Sequence, residues 1–444
     1  MRQLLSVLLL VLGVTTSASY AAPRLNIAIT GGVEAAQPLA IVPFGTTDGH
    51  IAPVDVAAII SADLARTGIF KPLPVSDMLT QPTTRETVDL RDWRLLNMNT
   101  LVIGQVLPAG TGLQVNAVIY DVQRGVELAA PSVATTAAGL RHTAHQLADV
   151  IYQTLTGRPG VAATRIAYVA SSGSGDAQMV SLRVADADGE NAQTIISTKE
   201  PLLAPAWSPD GQLIAYVSFE NQRAAIYLQD LRSGQRTLVA SYPGVNSAPA
   251  FAPDGQRLAM TLSKDGNSEI YVLDLVSREL RRLTDHFAID TEPTWSPDGQ
   301  QLVFTSNRGG TPQLYRMAAS GGAAERISLE GDYNARASFA PDGRSLVMVT
   351  RSNGAFRIAL LDLERNHTRL LTTGPLDEAP SFAPNGEQVL YAATHNGREV
   401  LATVAVDGSS GQRLSPTSGA VREPAWSPPP PAPVGSGDKI LAQQ

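Results

Sequence analysis

A five-residue phrase that returns at near-constant spacing constrains this chain more than any other feature. Trp207-Ser208-Pro209-Asp210-Gly211 is followed by FAPDG from Phe251, WSPDG from Trp295, FAPDG from Phe339, FAPNG from Phe382 and a worn WSPPP from Trp426. The intervals between the aromatic residues are 44, 44, 44, 43 and 44 residues. Five copies carry a proline two residues ahead of the aromatic (Pro205, Pro249, Pro293, Pro380 and Pro424), and the copy at Phe339 has Ala337 there. A period of this length with an Asp-Gly turn in each unit is the signature of a β-propeller blade.

Each unit has the physical grammar of four strands. The aromatic closes an inner strand, and Pro-Asp-Gly turns the chain with glycine at the positive-φ position. An alternating apolar strand follows, as in Leu213–Val217 or Leu302–Thr305, then a polar loop such as Asp265-Gly266-Asn267. A third strand carries aromatic and β-branched residues (Ile226-Tyr227-Leu228, Ile270-Tyr271-Val272, Leu314-Tyr315-Arg316), and a second turn leads to an outer strand such as Thr237-Leu238-Val239. One such sheet cannot bury both faces, so units stack radially around a channel. Second strands beginning near Ile166, Leu213, Leu258, Leu302, Leu346 and Val389 count six blades. The first lacks an inner strand and the Trp426 copy lacks the strands behind it, so Glu423–Trp426 is expected to close the ring onto the blade that starts at Ile166.

The expected fold class is therefore an α/β N-terminal domain followed by an all-β six-bladed propeller closed by the C-terminal strand. The expected divisions are 1–21, 22–32, 33–158, 159–427 and 428–444. Met1–Ala21 has the form of a cleaved signal peptide: Arg2, the apolar run Leu4–Val14 and the small-x-small site Ser19-Tyr20-Ala21. The alternative of a membrane anchor suffers from length, since the apolar run falls well short of the roughly 20 residues that span a bilayer. With no cysteine, disulfides, thiol chemistry and a lipoprotein anchor are excluded. The formal charge is −7, or −8 once Arg2 leaves with the signal, and no basic cluster invites nucleic acid.

Behind the cleavage site, Leu25, Ile27 and Ile29 alternate with Asn26 and Ala28 before Gly31-Gly32. This short strand-forming tail suits either the edge of a partner's sheet or the edge of its own domain. Residues 33–158 then alternate strands (Leu39–Phe44, Leu101–Leu107, Leu113–Tyr120, Val126–Ala129) with helices over Asp55–Thr67 and Leu140–Leu155. His142 and His145 sit three apart on the second helix among Arg141, Thr143 and Gln146, which makes a solvated face the expectation there and a metal site the weaker alternative.

Catalytic signatures are missing. No G-x-S-x-G occurs, no α/β domain follows the ring, and His286 and His367 stand in single blades without companions. Asp290, Glu292, Asp377, Glu378 and Glu423 fall where an outer strand hands over to the next inner strand, so they are expected to rim one mouth of the channel. With Asn246, Thr291, Asn334, Arg336 and Arg422 they compose a polar surface, and no activating partners at useful spacing point to a mechanism. Oxygen ligands there could hold a cation, but each residue alone is more simply a solvated loop residue. Neither a cofactor nor a resident metal is expected.

The chain resembles the TolB family, periplasmic components of the Tol–Pal system of Gram-negative bacteria. The resemblance is carried by Arg24–Gly32 leading into Pro38–Phe44, by Asp290–Gly299, and most specifically by Thr305–Tyr315. It implies a monomeric, non-catalytic adaptor that supports outer-membrane integrity and envelope constriction at cell division, with no nucleic acid partner and no membrane span. The tail (Ala22, Pro23, Arg24, Leu25, Asn26, Ile27, Ala28, Ile29, Thr30, Gly31 and Gly32) would engage the inner-membrane protein TolA, which settles its two readings toward a partner. The mouth would bind the lipoprotein Pal, and possibly other outer-membrane lipoproteins, through Val245, Asn246, Asp290, Thr291, Glu292, Asn334, Arg336, Asp377 and Glu378. A histidine expected near Val245 in the family has no counterpart here. The family also implies coupling between tail and mouth. The Pro428–Pro433 run after the ring is stiff and extended, and the residues behind it are expected to be a solvated, disordered tail. The competing readings are a propeller hydrolase or lyase, of the oligogalacturonate lyase kind, and a generic ligand-binding propeller.

Overall fold

The computed structural model describes residues 36–46, 52–414 and 419–430. The expected signal peptide over 1–21, the expected tail over 22–32 and residues 431–444 lie outside the described residues.

The N-terminal domain is a mixed sheet with helices on both faces. β1 (Gln37–Ile41) is central, flanked in parallel by β3 (Phe70–Pro72) and β4 (Thr100–Ala109). β4 forms an antiparallel hairpin with β5 (Gly112–Asp121), and β5 carries β6 (Val126–Ala129) and β7 (Ser132–Thr135). β2 (Gly45–Thr46) adds to the far end of β4. Helices α1 (Val56–Arg66) and α3 (Leu140–Thr156) cover one face, packing Ile60, Leu64, Leu147 and Ile151 against Leu39, Ile41 and Val102. The carboxylate of Asp55 caps α1 by accepting from the Ala58 N–H at 3.0 Å. Gly157, at φ 73°, ends α3 in the left-handed region. The other face is covered by α2 (Leu90–Leu95), whose Trp93 is wholly buried against Ala40, Leu101 and Ile103. α2 and β7 were not expected from the sequence. α2 has only six residues, too few for a helical period to declare itself.

The rest is a ring of six four-stranded antiparallel sheets. Blade two runs Leu202–Trp207, Leu213–Ser218, Ala225–Asp230 and Arg236–Ala240 from the axis outward, and blades three to six repeat it. Blade one takes its inner strand, Ala420–Trp426, from the far end of the chain, paired antiparallel to Arg165–Ser172. The circular closure expected from the two incomplete repeats is thus the architecture observed.

The repeated phrase does a job at every blade. In blade two, the Ser208 hydroxyl lies 2.5 Å from Asp210 Oδ1 and accepts the Leu213 N–H at 2.8 Å, while Gly211 takes φ 67°. The indole N–H of Trp207 donates to the Ala425 carbonyl of blade one, and that of Trp295 to the Ala250 carbonyl of blade three, both at 3.1 Å. The aromatic therefore fills the gap between blades and satisfies its polar edge on the neighbour. At the worn sixth copy no hairpin follows among the described residues, yet the serine keeps its role. The Ser427 N–H donates to the Arg165 carbonyl, and Ser427 Oγ accepts the Arg165 N–H at 2.9 Å. Arg165 stands where the first residue after the turn stands in the other blades.

The N-terminal domain sits on the turn end of blades six and one. Gln388 Nε2 donates to the Arg66 carbonyl at 3.0 Å, Asn385 Nδ2 to the Pro159 carbonyl at 3.1 Å, and Glu387 takes both the Tyr152 hydroxyl and Arg158. The linker is clamped as well: the Asp149 carboxylate accepts the Ala162 and Ala163 N–H groups at 2.6 and 2.9 Å. This placement leaves the opposite mouth, where inner strands begin, clear of the N-terminal domain.

Candidate functional site

The channel wall is made by a feature common to all six inner strands. Ala204, Ala248, Glu292, Arg336, Ala379 and Glu423 each take a left-handed conformation, with φ between 48° and 55°. The ladder to the second strand breaks at the same place in every blade, skipping this residue and the next. The skipped neighbour is the repeat proline, or Ala337 in blade five. A proline has no N–H to give a ladder, so a bulge is where an inner strand tolerates one.

At three of these six positions the residue is charged, and the three meet. Arg336 makes a two-pronged ion pair with Glu423, with Nη1 2.9 Å from Oε1, and its Nε lies 3.5 Å from Glu292 Oε1. Glu423 belongs to blade one and Arg336 to blade five, so the pair reaches past blade six, which offers only the methyl of Ala379. Each glutamate also caps the next blade: Glu292 Oε2 accepts the Arg336 N–H at 3.1 Å, and Glu423 accepts the Ala204 N–H. Thr305 Oγ1 donates to Glu292 at 2.9 Å. Burial pushes the Glu292 carboxyl up despite the arginine beside it. At Glu423 burial acts the same way but the closer Arg336 outweighs it, holding the carboxyl below its ordinary range. Burial likewise opposes the Arg336 charge, and the surrounding carboxylates overcome it and raise the guanidinium. With one guanidinium holding both, these carboxylates are ion-pair partners rather than a free acid and base.

Nearer the mouth, the first residues of four inner strands behave differently from the expectation. Asn246, Asp290, Asn334 and Asp377 are expected on a polar docking surface, yet all four are buried at 2% exposure or less. Asn246, Asn334 and Asp377 hold the loop before them, whereas Asp290 holds the loop between the second and third strands of its own blade. Asn246 exchanges hydrogen bonds with the Tyr242 N–H and carbonyl at 2.9 and 2.7 Å. Asp290 receives Arg308 Nη2 at 2.6 Å, and Asn334 donates to Gln313 Oε1 and the Glu330 carbonyl, both at 2.8 Å. Asp377 is gripped by Thr372 and the Gly374 N–H, and burial pushes its carboxyl up. Blades two and one have Leu202 and Val421 in this place. Of the other expected contacts, Val245 and Glu378 are exposed, and Thr291, Glu292 and Arg336 are half-buried, the last two within the triad.

Two further loop anchors were missed. Glu269, fully buried, accepts the Thr284 hydroxyl at 2.5 Å and the His286 N–H at 2.7 Å, fixing the loop into blade four. Gln313 accepts the Ser328 hydroxyl at 2.7 Å as well as Asn334, fixing the loop into blade five. Their signal was available: each directly precedes the repeated apolar-tyrosine pair, Ile270-Tyr271 or Leu314-Tyr315.

The histidines of α3 correct another expectation. His145 is 1% exposed rather than solvated, with Nδ1 2.7 Å from Asp63 Oδ2 and Nε2 3.7 Å from Asp186 Oδ2 in blade one. Asp63, His145 and Asp188 are close enough to surround a cation. Arg66 pairs with Asp63, however, and Arg141 with both Asp186 and Asp188, so two guanidiniums already stand against these carboxylates. The cluster is an ion-paired seam between the domains. His142 remains exposed, as expected.

Residues 25–128 match the family described as the TolB amino-terminal domain, and residues 152–429 match the TolB beta propeller domain. The chain is 60% identical to the Tol-Pal system protein TolB of Nitrosococcus oceani over 406 residues, covering 91% of this chain and 93% of that one. It is 58% identical to the protein of the same name from Methylococcus capsulatus, covering 93% and 96%. A crystal structure of TolB from Acinetobacter baumannii superimposes with a TM-score of 0.83 at 38% identity, over 91% of this chain and all of that one.

Proposed function

Because this chain belongs to the TolB family and is a Tol–Pal system component, we propose that it acts as a non-catalytic periplasmic adaptor. In this reading the propeller mouth binds the periplasmic domain of the lipoprotein Pal, and the tail Ala22–Gly32 engages TolA. Bridging the two partners would serve outer-membrane integrity and constriction of the envelope at division.

The observation that carries the reading is the division of the molecule into two ends. The N-terminal domain occupies the turn end of the ring through Gln388, Asn385 and Glu387. The other mouth is open and is framed by loops pinned from beneath. Rigid loops on a rigid scaffold suit recognition, because little entropy is lost on binding. The paired state of Glu292 and Glu423 speaks against the hydrolase and lyase alternatives. Among the described residues no helix is long and apolar enough to cross a membrane.

The test is a titration of the mature protein with the purified Pal periplasmic domain. Thr291→Arg is the better single probe, because Glu292→Arg would set a like charge against Arg336. The expected result is saturable binding by the wild type and its loss in the folded variant. Amide exchange over residues 22–32, with and without Pal, reads the coupling of tail to mouth. A wild type that does not bind Pal overturns the adaptor reading, and unchanged exchange overturns the coupling.

A further inference from the structure

The loops that enter blades three to six carry a set of large apolar side chains in water. Val245 is 40% exposed, Phe287 88%, Ile289 49%, Leu329 61% and Leu376 36%. Elsewhere on the described propeller, the large exposed apolar side chains are Leu238 and Leu370 on outer strands and Val276 at the opposite end. Exposed Phe, Ile and Leu concentrated on one rim are the mark of an interaction site, whereas scattered ones need no explanation.

These loops are not slack. Three of them are held by the buried Asn246, Asn334 and Asp377, the one into blade four is held by Glu269 and Asn267, and the entry to blade two has no large exposed apolar residue. Phe287 is held from both sides: its neighbours His286 and Ala288 have their carbonyls bonded by Asn267 Nδ2, and the Ala288 N–H donates to His286 Nδ1 at 3.0 Å. The Ile289 N–H donates to Asn307 Oδ1 at 2.8 Å. The Leu376 carbonyl accepts the Thr394 N–H at 2.9 Å. A clamped loop holds its apolar side chain outward where a free loop would fold it under.

Charge says what kind of surface fits. The segments 283–290, 327–334 and 371–378 contain Asp285, Asp290, Glu330, Asp332, Asp377 and Glu378, and no lysine or arginine. Of the exposed members, Asp285 pairs with Arg282 and Asp332 with Arg351, so Glu330 and Glu378 are the ones that make the border beside the apolar residues acidic. From this geometry we infer that Phe287, Ile289 and Leu329 form the anchoring crescent of the mouth, and that its occupant is a folded protein domain presenting an apolar knob ringed by lysine and arginine. This rests on the proposed Pal-binding role of the mouth, and it reassigns the work there. The apolar crescent supplies the affinity, and Asn246, Glu269, Asn267, Asn334 and Asp377 are positioning residues beneath it. Interfaces commonly concentrate energy in a few such anchors, and an acidic border adds rate and orientation rather than depth.

The experiment titrates full-length mature protein with the Pal periplasmic domain, comparing wild type with Phe287→Ala, Ile289→Ala and Leu329→Ala. Val276→Ala serves as a control, and thermal unfolding confirms that every variant is folded. Phe287→Ala should weaken binding about tenfold or more and the other two several-fold, with the control unchanged. Raising NaCl from about 0.05 to about 0.5 M should slow association through screening. If the wild type binds and Thr291→Arg abolishes binding while all three crescent variants stay within about twofold, the crescent is overturned and the adaptor reading stands. No binding by wild type overturns both. Wild-type capture by phosphatidylethanolamine–phosphatidylglycerol vesicles that Phe287→Ala loses would assign the crescent to a lipid surface and overturn the protein occupant.

Discussion

Arg336 is the residue on which the channel depends. It reconciles two carboxylates that the fold brings together, and it ties the closing strand to a blade two places away in the ring. Removing one member of such a cluster leaves the others as uncompensated charge, which costs about 3–5 kcal/mol where burial is complete. Arg336 is 30% exposed and Glu423 14%, so water in the channel offsets part of that. Arg336→Met should lower stability by about 2–3 kcal/mol, read as a shift of the urea midpoint. Adding Glu423→Gln should recover part of the loss, because the two residues are coupled. A variant with wild-type midpoint would mean that the triad is solvent-balanced and contributes nothing.

At the scale of the element, the bulge of the inner strand is the repeated device. It bends the strand where the channel needs width, and it turns one side chain per blade toward the axis. A β-branched residue resists the left-handed region. Ala248→Val should therefore cost about 2 kcal/mol, whereas Ala250→Val two residues on, in extended backbone, should cost less. Equal midpoints for the two variants would count against strain at the bulge. The proline two residues before the aromatic announces this bulge in the sequence, although it was used there only as a mark of the repeat. Blade number, strand order and ring closure were all legible, because the 44-residue spacing and the Asp-Gly turns are local signals. The fate of Asn246, Asp290, Asn334 and Asp377 was not legible. Their burial comes from a loop folding back over the strand start, and alternation along a strand says nothing about that. His145 escaped for a related reason: α3 buries one stripe against its own sheet and another against blade one, so helical period alone shows only the first. The apolar crescent was in plain view as Phe287, Ile289 and Leu329, but exposure is a tertiary property.

Across the whole molecule, the two domains are joined through charged and polar groups, and one of them titrates near neutrality. Burial raises the Asp149 carboxyl to about 6, only partly opposed by the Ala162 and Ala163 N–H groups it accepts. Its folded pKa lies above its unfolded one, so the native state prefers the protonated form. That contribution is complete below about pH 4 and is lost as pH rises through about 6. Asp149→Asn should thus gain on the wild type between pH 4 and pH 7, by up to about 2 kcal/mol. Denaturation at both pH values checks it, and a pH-independent difference would refute it. Ring closure has a consequence of another kind, in time. Ala420 pairs with Ser171 and Trp426 with Ile166, so blade one waits for almost the last residues of the chain. A polypeptide made N-terminus first can complete its α/β domain early. It must then hold up to six sheets with open edges until the final strand arrives, the stage most exposed to aggregation and proteolysis. The late-arriving strand carries Glu423, so the last step of folding also completes the ion triad at the channel axis.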